Sequence, residues 1–328
     1  MSHAKAIGLI INPMAGRDIR RLVAHASLQS QAEKALIAHR IVAGIAAVPG
    51  VRVLVPEDRS GFFSWLSTEL PPEVPVELVS RPAAVEDSTM LWVSMLEAAG
   101  ARALIVVGGD GTQRNVAQAH PKIPVLPVAG GTNNVACYLG DQTAGGYAVA
   151  YFVKEGGAYH HWAVQSKLLH VELPGGVEEM ALIDVALTRQ NFTGAMAVWD
   201  PSDVQALVLS RADALRPGLS NVGAFVSPVG ADDDFGLYLS LGDRGRACPA
   251  VMAPGLMATF HVEQERYLGF GDTVELHPQD AGGSLAFDGE RTVVLSRGQS
   301  ARITLRRDGP WVLDPARILT VSKRSVPS

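Results

Sequence analysis

The chain has 328 residues, 47% hydrophobic and 19% charged, with a formal net charge of -5 at pH 7, which describes a globular protein and excludes a disordered one. A pI near 6.0 argues against nucleic acid as a bulk electrostatic partner, so an anionic ligand must be gripped locally by backbone amides, a few cations or a metal. No apolar run reaches the roughly 20 residues that cross a bilayer, and this length calls for two lobes with a cleft between them.

Met1 to Ala6 carries neither the basic region nor the apolar stretch of a secretory signal, so a cytoplasmic location is expected. Ala6 to Ile11 is a continuous apolar run that predicts a buried strand, ending at the turn Asn12-Pro13-Met14-Ala15-Gly16. Arg20 to Ala47 has helical periodicity. Val51 to Val55 follows as a strand, Phe62 to Leu70 as a short helix, Val76 to Val79 as a strand, and Val85 to Ala99 as a helix closed by Gly100. Ala103 to Val107 and Ile123 to Val128 are two further strands, with Gln113 to His120 helical between them. Such alternation implies right-handed crossovers and an α/β lobe on a parallel sheet, with ligands at the carboxyl ends of its strands.

After about residue 160 the pattern changes. Strand-like runs at 168–173, 181–187, 205–209, 237–241, 273–276, 285–287, 292–295 and 301–305 are separated by Gly and Pro turns. They predict a mainly antiparallel β lobe, with Gly146 to Lys154 as a helix bridging the two. The expected division is 1–145 as a nucleotide-phosphate-binding α/β lobe and 146–328 as the β-rich lobe. The two cysteines, Cys137 and Cys248, lack metal-ligand spacing and read as reduced thiols.

Three segments carry chemistry. The strand at 103–107 runs into Gly108-Gly109-Asp110-Gly111-Thr112 and a helix follows. Such a turn presents backbone N–H groups and the positive end of a helix dipole to an anion, and glycines let the main chain approach phosphate closely. A carboxylate there makes sense if Asp110 binds Mg²⁺ or takes a proton from an attacking hydroxyl. The bland alternative is a glycine connection with Asp110 as a helix N-cap. The next strand repeats the device with Gly130-Gly131-Thr132-Asn133-Asn134, whose Thr and Asn suit ribose, phosphate or a base edge and are also ordinary caps. Phe287-Asp288-Gly289-Glu290 is locally a hairpin turn, although Asp288 or Glu290 could reach into a cleft. Asp232-Asp233-Asp234 reads as a solvated acidic turn, His160-His161 as surface, and Arg17, Arg20 and Arg21 as a solvated helix face.

GGDGT at 108–112, GGTNN at 130–134 and DGE at 288–290, in that order, resemble the superfamily of NAD kinases, diacylglycerol kinases and sphingosine kinases. IGLIINPMAG at 7–16 is similar to its first strand and turn, with Asn12 in the matching place. DVALTRQNFTGAMAVWD (184–200) and RPGLSNVGAF (216–225) resemble one branch, the ATP-NAD-kinase-like X proteins of acetoin catabolism. The resemblance implies an NAD kinase-like α/β lobe, a β-rich lobe behind it and a C-terminal segment returning to the first. It also implies ATP with Mg²⁺, held by Asp110, Asp288 and Glu290, and Asp110 as the carboxylate at the transfer site. Phosphate and ribose contacts fall on Asn12, Gly108, Gly109, Gly111, Thr112, Gly131, Thr132, Asn133, Asn134 and Asp184. ALIDVAL at 181–187 departs from the pattern: Ile183 stands where NAD kinases carry an Asn before the acidic residue, which puts NAD as acceptor in doubt. Losing such a contact typically costs about 1–3 kcal/mol.

The expected function is ATP-dependent phosphoryl transfer to a hydroxyl of a small nucleotide-like molecule, NAD or another hydroxylated metabolite. A lipid acceptor, polyphosphate as donor, a non-catalytic nucleotide-binding accessory role and homo-oligomerisation stay open. A lipid kinase would benefit from a basic amphipathic helix, which the chain does not show.

Overall fold

The computed structural model describes residues 5–15, 30–131, 133–156, 159–189, 201–279, 282–289 and 291–322. Its first lobe is built on β1 (Lys5–Ile11), β2 (Val51–Pro56), β3 (Val76–Val79), β4 (Ala101–Gly108) and β5 (Val125–Ala129), parallel in the order β3-β2-β1-β4-β5. Ile7, Leu9, Ile10 and Ile11 of β1 and Leu104 to Val106 of β4 are fully buried, as expected for strands covered on both faces. Strand order reverses between β1 and β4, and a crevice at the carboxyl ends of such strands is the usual ligand position.

The helices are α1 (Gln31–Ala46), α2 (Phe62–Thr68), α3 (Thr89–Ala98), α4 (Asp110–Gln118) and α5 (Gln142–Glu155). Ser30 and Glu33 form a reciprocal capping box that starts α1; residues 20–29 of the longer helix expected there lie outside the described residues. Asp141 accepts the Ala144 N–H at 3.0 Å and so starts α5 earlier than the apolar pattern alone suggested. α5 packs on α1 through glycines. A Cβ on Gly44 would lie 2.0 Å from the Thr143 carbonyl oxygen, and one on Gly146 2.0 Å from that of Ile41. The expected bridging role of α5 is therefore corrected: it covers the first sheet. Two more strands extend that sheet, β17 (Trp311–Leu313) parallel to β5 and β6 (Ala163–Gln165) antiparallel to β17. Residues 163–165 and 311–313 are thus hydrogen-bonded into the first sheet.

The second lobe consists of β7 (Leu168–Leu173), β8 (Val177–Ala181), β9 (Asp184–Thr188), β10 (Val204–Leu209), β11 (Phe235–Ala253), β12 (Leu256–Gly269), β13 (Thr273–Leu276), β14 (Gly283–Phe287), β15 (Arg291–Leu295) and β16 (Ala301–Arg306), with a short helix α6 (Leu219–Ala224). These strands form antiparallel sheets of order β12-β11-β10-β9-β14-β15 and β13-β16-β7-β8. Val185, Leu187, Leu285 and Phe287 pack against Leu169, Val171, Ile303 and Leu305 between them. A final helix, α7 (Pro315–Ser322), packs on α5. No helix among the described residues is long and apolar enough to cross a membrane.

Two expectations change. The strand expected at 237–241 is part of a hairpin reaching from Phe235 to Gly269. Its two strands pair through an antiparallel backbone ladder, with the exposed Arg246–Glu265 ion pair at 3.3 Å across them. The single strand expected at 181–187 is broken at Leu182-Ile183, whose N–H groups turn to the Asp288 carboxylate instead of to a neighbouring strand.

Candidate functional site

Asn12, just past β1, ties that strand to the turn after β4. Its backbone N–H donates to the Val107 carbonyl at 3.0 Å. Its Nδ2 donates to Thr112 Oγ1 at 2.9 Å, and its Oδ1 accepts the Met14 N–H at 2.9 Å. Lys34 of α1, 2% exposed, donates to the Pro13 carbonyl of the same turn at 2.5 Å.

The two glycine turns lie back to back. Gly130 N–H donates to the Gly108 carbonyl at 3.1 Å, and Asp110 N–H to the Asn133 carbonyl at 2.9 Å. A Cβ on Gly131 would stand 2.5 Å from Gly109 Cα, and one on Gly109 2.8 Å from the Asn133 oxygen. Close approach of main chain to main chain therefore requires glycine here. Asn134 closes its own turn, accepting the Gly131 N–H at 3.1 Å and donating to the Gly131 carbonyl at 2.8 Å. The Asn133 side chain faces Gly218, which precedes α6 with φ +119°. Gly108 to Thr112 are all buried. Thr132 lies outside the described residues.

Asp110 is the first residue of α4, not its N-cap; the cap is Gly109, with no side-chain cap bond. At 2% exposure, the Asp110 carboxylate accepts the Val135 N–H at 3.0 Å and the Ala136 N–H at 2.9 Å. It thus braces the segment after the second glycine turn.

Asp288, at φ +49° and 1% exposed, does the same in the other lobe. Its oxygens accept the N–H groups of Leu182 at 3.0 Å, Ile183 at 2.7 Å and Asp184 at 3.3 Å, while its own N–H donates to the Asp184 carbonyl at 3.0 Å. Asp184, 6% exposed, is thereby placed beside Asp288 at the start of β9. Burial pushes the Asp288 carboxyl up to about 6, against the pull of Arg114 and of the Ile183 and Leu182 N–H groups. Arg114 Nε is 3.9 Å from Asp288 Oδ2, and its Nε and Nη1 have no hydrogen-bond partner among the described residues.

Two of the three residues expected to hold Mg²⁺, Asp110 and Asp288, are engaged in these bonds. Glu290 lies outside the described residues. Each oxygen of Asp110 and Asp288 already accepts at least one backbone N–H. No group of three or more His, Cys, Asp or Glu side chains comes together to hold a metal ion among the described residues. These two carboxylates as they stand, buried and spent on backbone N–H groups, do not fit Mg²⁺.

Beyond the braced 135–138 segment opens a cleft of about 240 Å³ between the lobes. Val116, Val125, Pro127, Val164, Leu182, Ile183, Val312 and Leu313 make it apolar, and Lys167, Arg211 and Arg317 bring cations to it. Lys167, 3% exposed, donates to the carbonyls of Gly230 at 2.9 Å and Phe235 at 2.8 Å, and burial and the charge of Arg307 lower it to about 8. Cys137 donates to the Gly108 carbonyl at 3.3 Å, and burial and Asp110 push its thiol well up, so it stays protonated and inert. In the acidic turn, exposed as expected at Asp232 and Asp234, Asp232 pairs with Arg317 at 2.7 Å and Asp234 with Arg307 at 3.1 Å. His160 and His161 are exposed, His160 edge-on to Trp311.

Sequence reasoning missed Arg114, Lys167, Arg211 and Lys34. Only the placement of Arg114 two residues after GGDGT and of Arg211 two residues after β10 offered a signal.

Residues 7–144 match the ATP-NAD kinase N-terminal domain family, and residues 167–308 match the acetoin catabolism protein X C-terminal domain family. The chain is 30% identical to acetoin catabolism protein X of Cupriavidus necator over 318 residues, 92% of this chain and 88% of that protein. Its fold is similar to that of yeast NADH kinase, solved in complex with NADH, with a TM-score of 0.54 at 13% identity, covering 100% of this chain and 90% of that one. The chain therefore belongs to the acetoin catabolism protein X family.

Proposed function

We propose that the protein is an NAD kinase-like phosphotransferase that holds the phosphates of ATP at the paired glycine turns and transfers a phosphoryl group to a hydroxyl of a small acceptor. The observation that carries this reading is the junction of the turns after β4 and β5, with Asp110 between them and a cleft beyond the segment it braces. The first N–H groups of a helix have no acceptor within it, and α4 begins without a side-chain cap. The Asp110 N–H is taken by the Asn133 carbonyl, so the rest of this first turn is the anion seat. In the transfer, Asp110 would exchange its bonds to Val135 and Ala136 for the acceptor hydroxyl and take its proton, which couples acceptor binding to movement of the cleft wall. The acceptor belongs to acetoin catabolism if the protein shares the setting of its relative. A labelled-ATP transfer screen against NAD, NADH and hydroxylated metabolites tests the reading; no labelled product from any of them would sink it.

A second reading has its own support. Both acids are locked by backbone N–H groups, and Ile183 lines the cleft where a dinucleotide contact would stand. These features favour a nucleotide-binding accessory protein without catalysis. A thermal shift with ATP or NAD, without phosphorylated product by mass spectrometry, selects that reading.

A further inference from the structure

The three cations of the inter-lobe cleft are not equivalent. The ammonium of Lys167 is committed to two carbonyls, and the guanidinium of Arg317 to Asp232 and Asp314 at 2.7 and 3.1 Å. Arg211, partly buried in the cleft wall, makes no hydrogen bond and no ion pair with any described residue. The acids whose charge it feels are engaged elsewhere: Asp110 with the Val135 and Ala136 N–H groups, and Asp213 with the Leu215 N–H at 2.8 Å and Arg216 at 3.5 Å.

An arginine stays charged when buried, and withdrawing it from water without a partner is costly. Its backbone is fixed on both sides. Ser210 N–H donates to the Ile183 carbonyl at 2.9 Å and Ser210 Oγ to that of Leu182 at 2.6 Å, while Ala212 and Val229 exchange N–H bonds at 3.0 and 2.9 Å. A guanidinium on a fixed backbone, lining a largely apolar hollow, with its donors unused, is the arrangement of a binding residue whose counter-ion is the ligand.

We propose that this cleft binds a small organic anion with a short apolar body, and that Arg211 selects its anionic group. At about 240 Å³ the cleft falls below the roughly 300–1,000 Å³ of sites for drug-sized ligands. It suits one short branched chain or one ring, not a dinucleotide. Val116, Ile183 and Val312 would take the apolar body. The inference names an acceptor class for the transfer proposed above and rests on that reading for the ligand's fate, not for its binding.

The test is calorimetry on the full chain without nucleotide. The probes are 2-hydroxy-3-methylbutanoate, isobutyl phosphate as the phosphate-bearing counterpart, and 2-hydroxy-3-methylbutanamide as the uncharged control. At least one anion should bind at millimolar concentration or better, and the amide about ten- to a hundredfold more weakly than the acid, the factor expected of a charge-assisted contact. Arg211→Met should erase the preference for charge, and Arg211→Lys should restore part of it. The proposal is overturned if neither anion binds, if acid and amide bind alike, if Arg211→Met binds the acid as the wild type does, or if NAD displaces the anion. Should Arg211→Met fail to fold, the acid–amide comparison on the unaltered protein decides alone. Anion binding without transfer to any acceptor removes the kinase reading and leaves this one, whereas transfer to NAD without anion binding does the reverse.

Discussion

Asp110→Asn separates what the carboxylate does for the fold from what it does for chemistry. In the structure both oxygens accept backbone N–H groups at 2.9 and 3.0 Å, in a residue 2% exposed. Asparagine keeps one acceptor and turns an amide NH₂ against the other N–H, which leaves a buried donor unsatisfied at a cost of about 1–3 kcal/mol. Relief of the desolvated charge offsets part of that, so a net loss of about 2 kcal/mol is expected. A loss of that size lowers Tm by about 3 °C, given an unfolding entropy of roughly 2.1 cal/mol/K per residue over 328 residues. Asp110→Ala removes both acceptors and should cost more. Thermal unfolding of the three proteins gives the order directly, and calorimetry with ATP shows whether the nucleotide site survives. The Asn variant should bind ATP and transfer nothing. Wild-type stability in Asp110→Asn, within about 0.5 kcal/mol, would refute the bracing role.

Gly131→Ala places a methyl 2.5 Å from Gly109 Cα, where only backbone can yield, and should lose about 1–3 kcal/mol as overpacking does. Gly269→Ala, whose nearest neighbour would be 3.6 Å away, should stay within about 0.5 kcal/mol in the same denaturant titration. Asp288 gives a pH signature. Its folded pKa of about 6 lies above the ordinary 3.8, so the folded state holds this proton more tightly and the burden of its charge is relieved as pH falls through 6. Between pH 7 and 4.5 the wild type should gain about 2 kcal/mol relative to Asp288→Asn, and a gap that stays constant with pH would contradict the burial argument.

Legibility in the sequence followed the range of the physics. β1 and β4 are continuous apolar runs whose burial depends on their own residues, and both stand where periodicity put them. The glycine turns were legible as turns, but not as two main chains in contact, because Gly109 and Gly131 meet across 22 residues of chain. The break between β8 and β9 depends on Asp288, more than 100 residues away, so no local pattern announces it. Arg211 could be placed just after a strand, but its significance lies in what its neighbours are already bonded to. The charged hairpin of β11 and β12 deceived by composition, since its strands rest on an antiparallel backbone ladder and on buried Cys248, Ala250 and Phe260 rather than on a regular local pattern.

Incubating the purified protein with labelled ATP and the acceptor panel, beside Asp110→Asn shown to be folded and to bind ATP, measures the proposed activity itself. Label should pass to an acceptor with the wild type and to none with the variant. Equal label from both, or none from either, would contradict it.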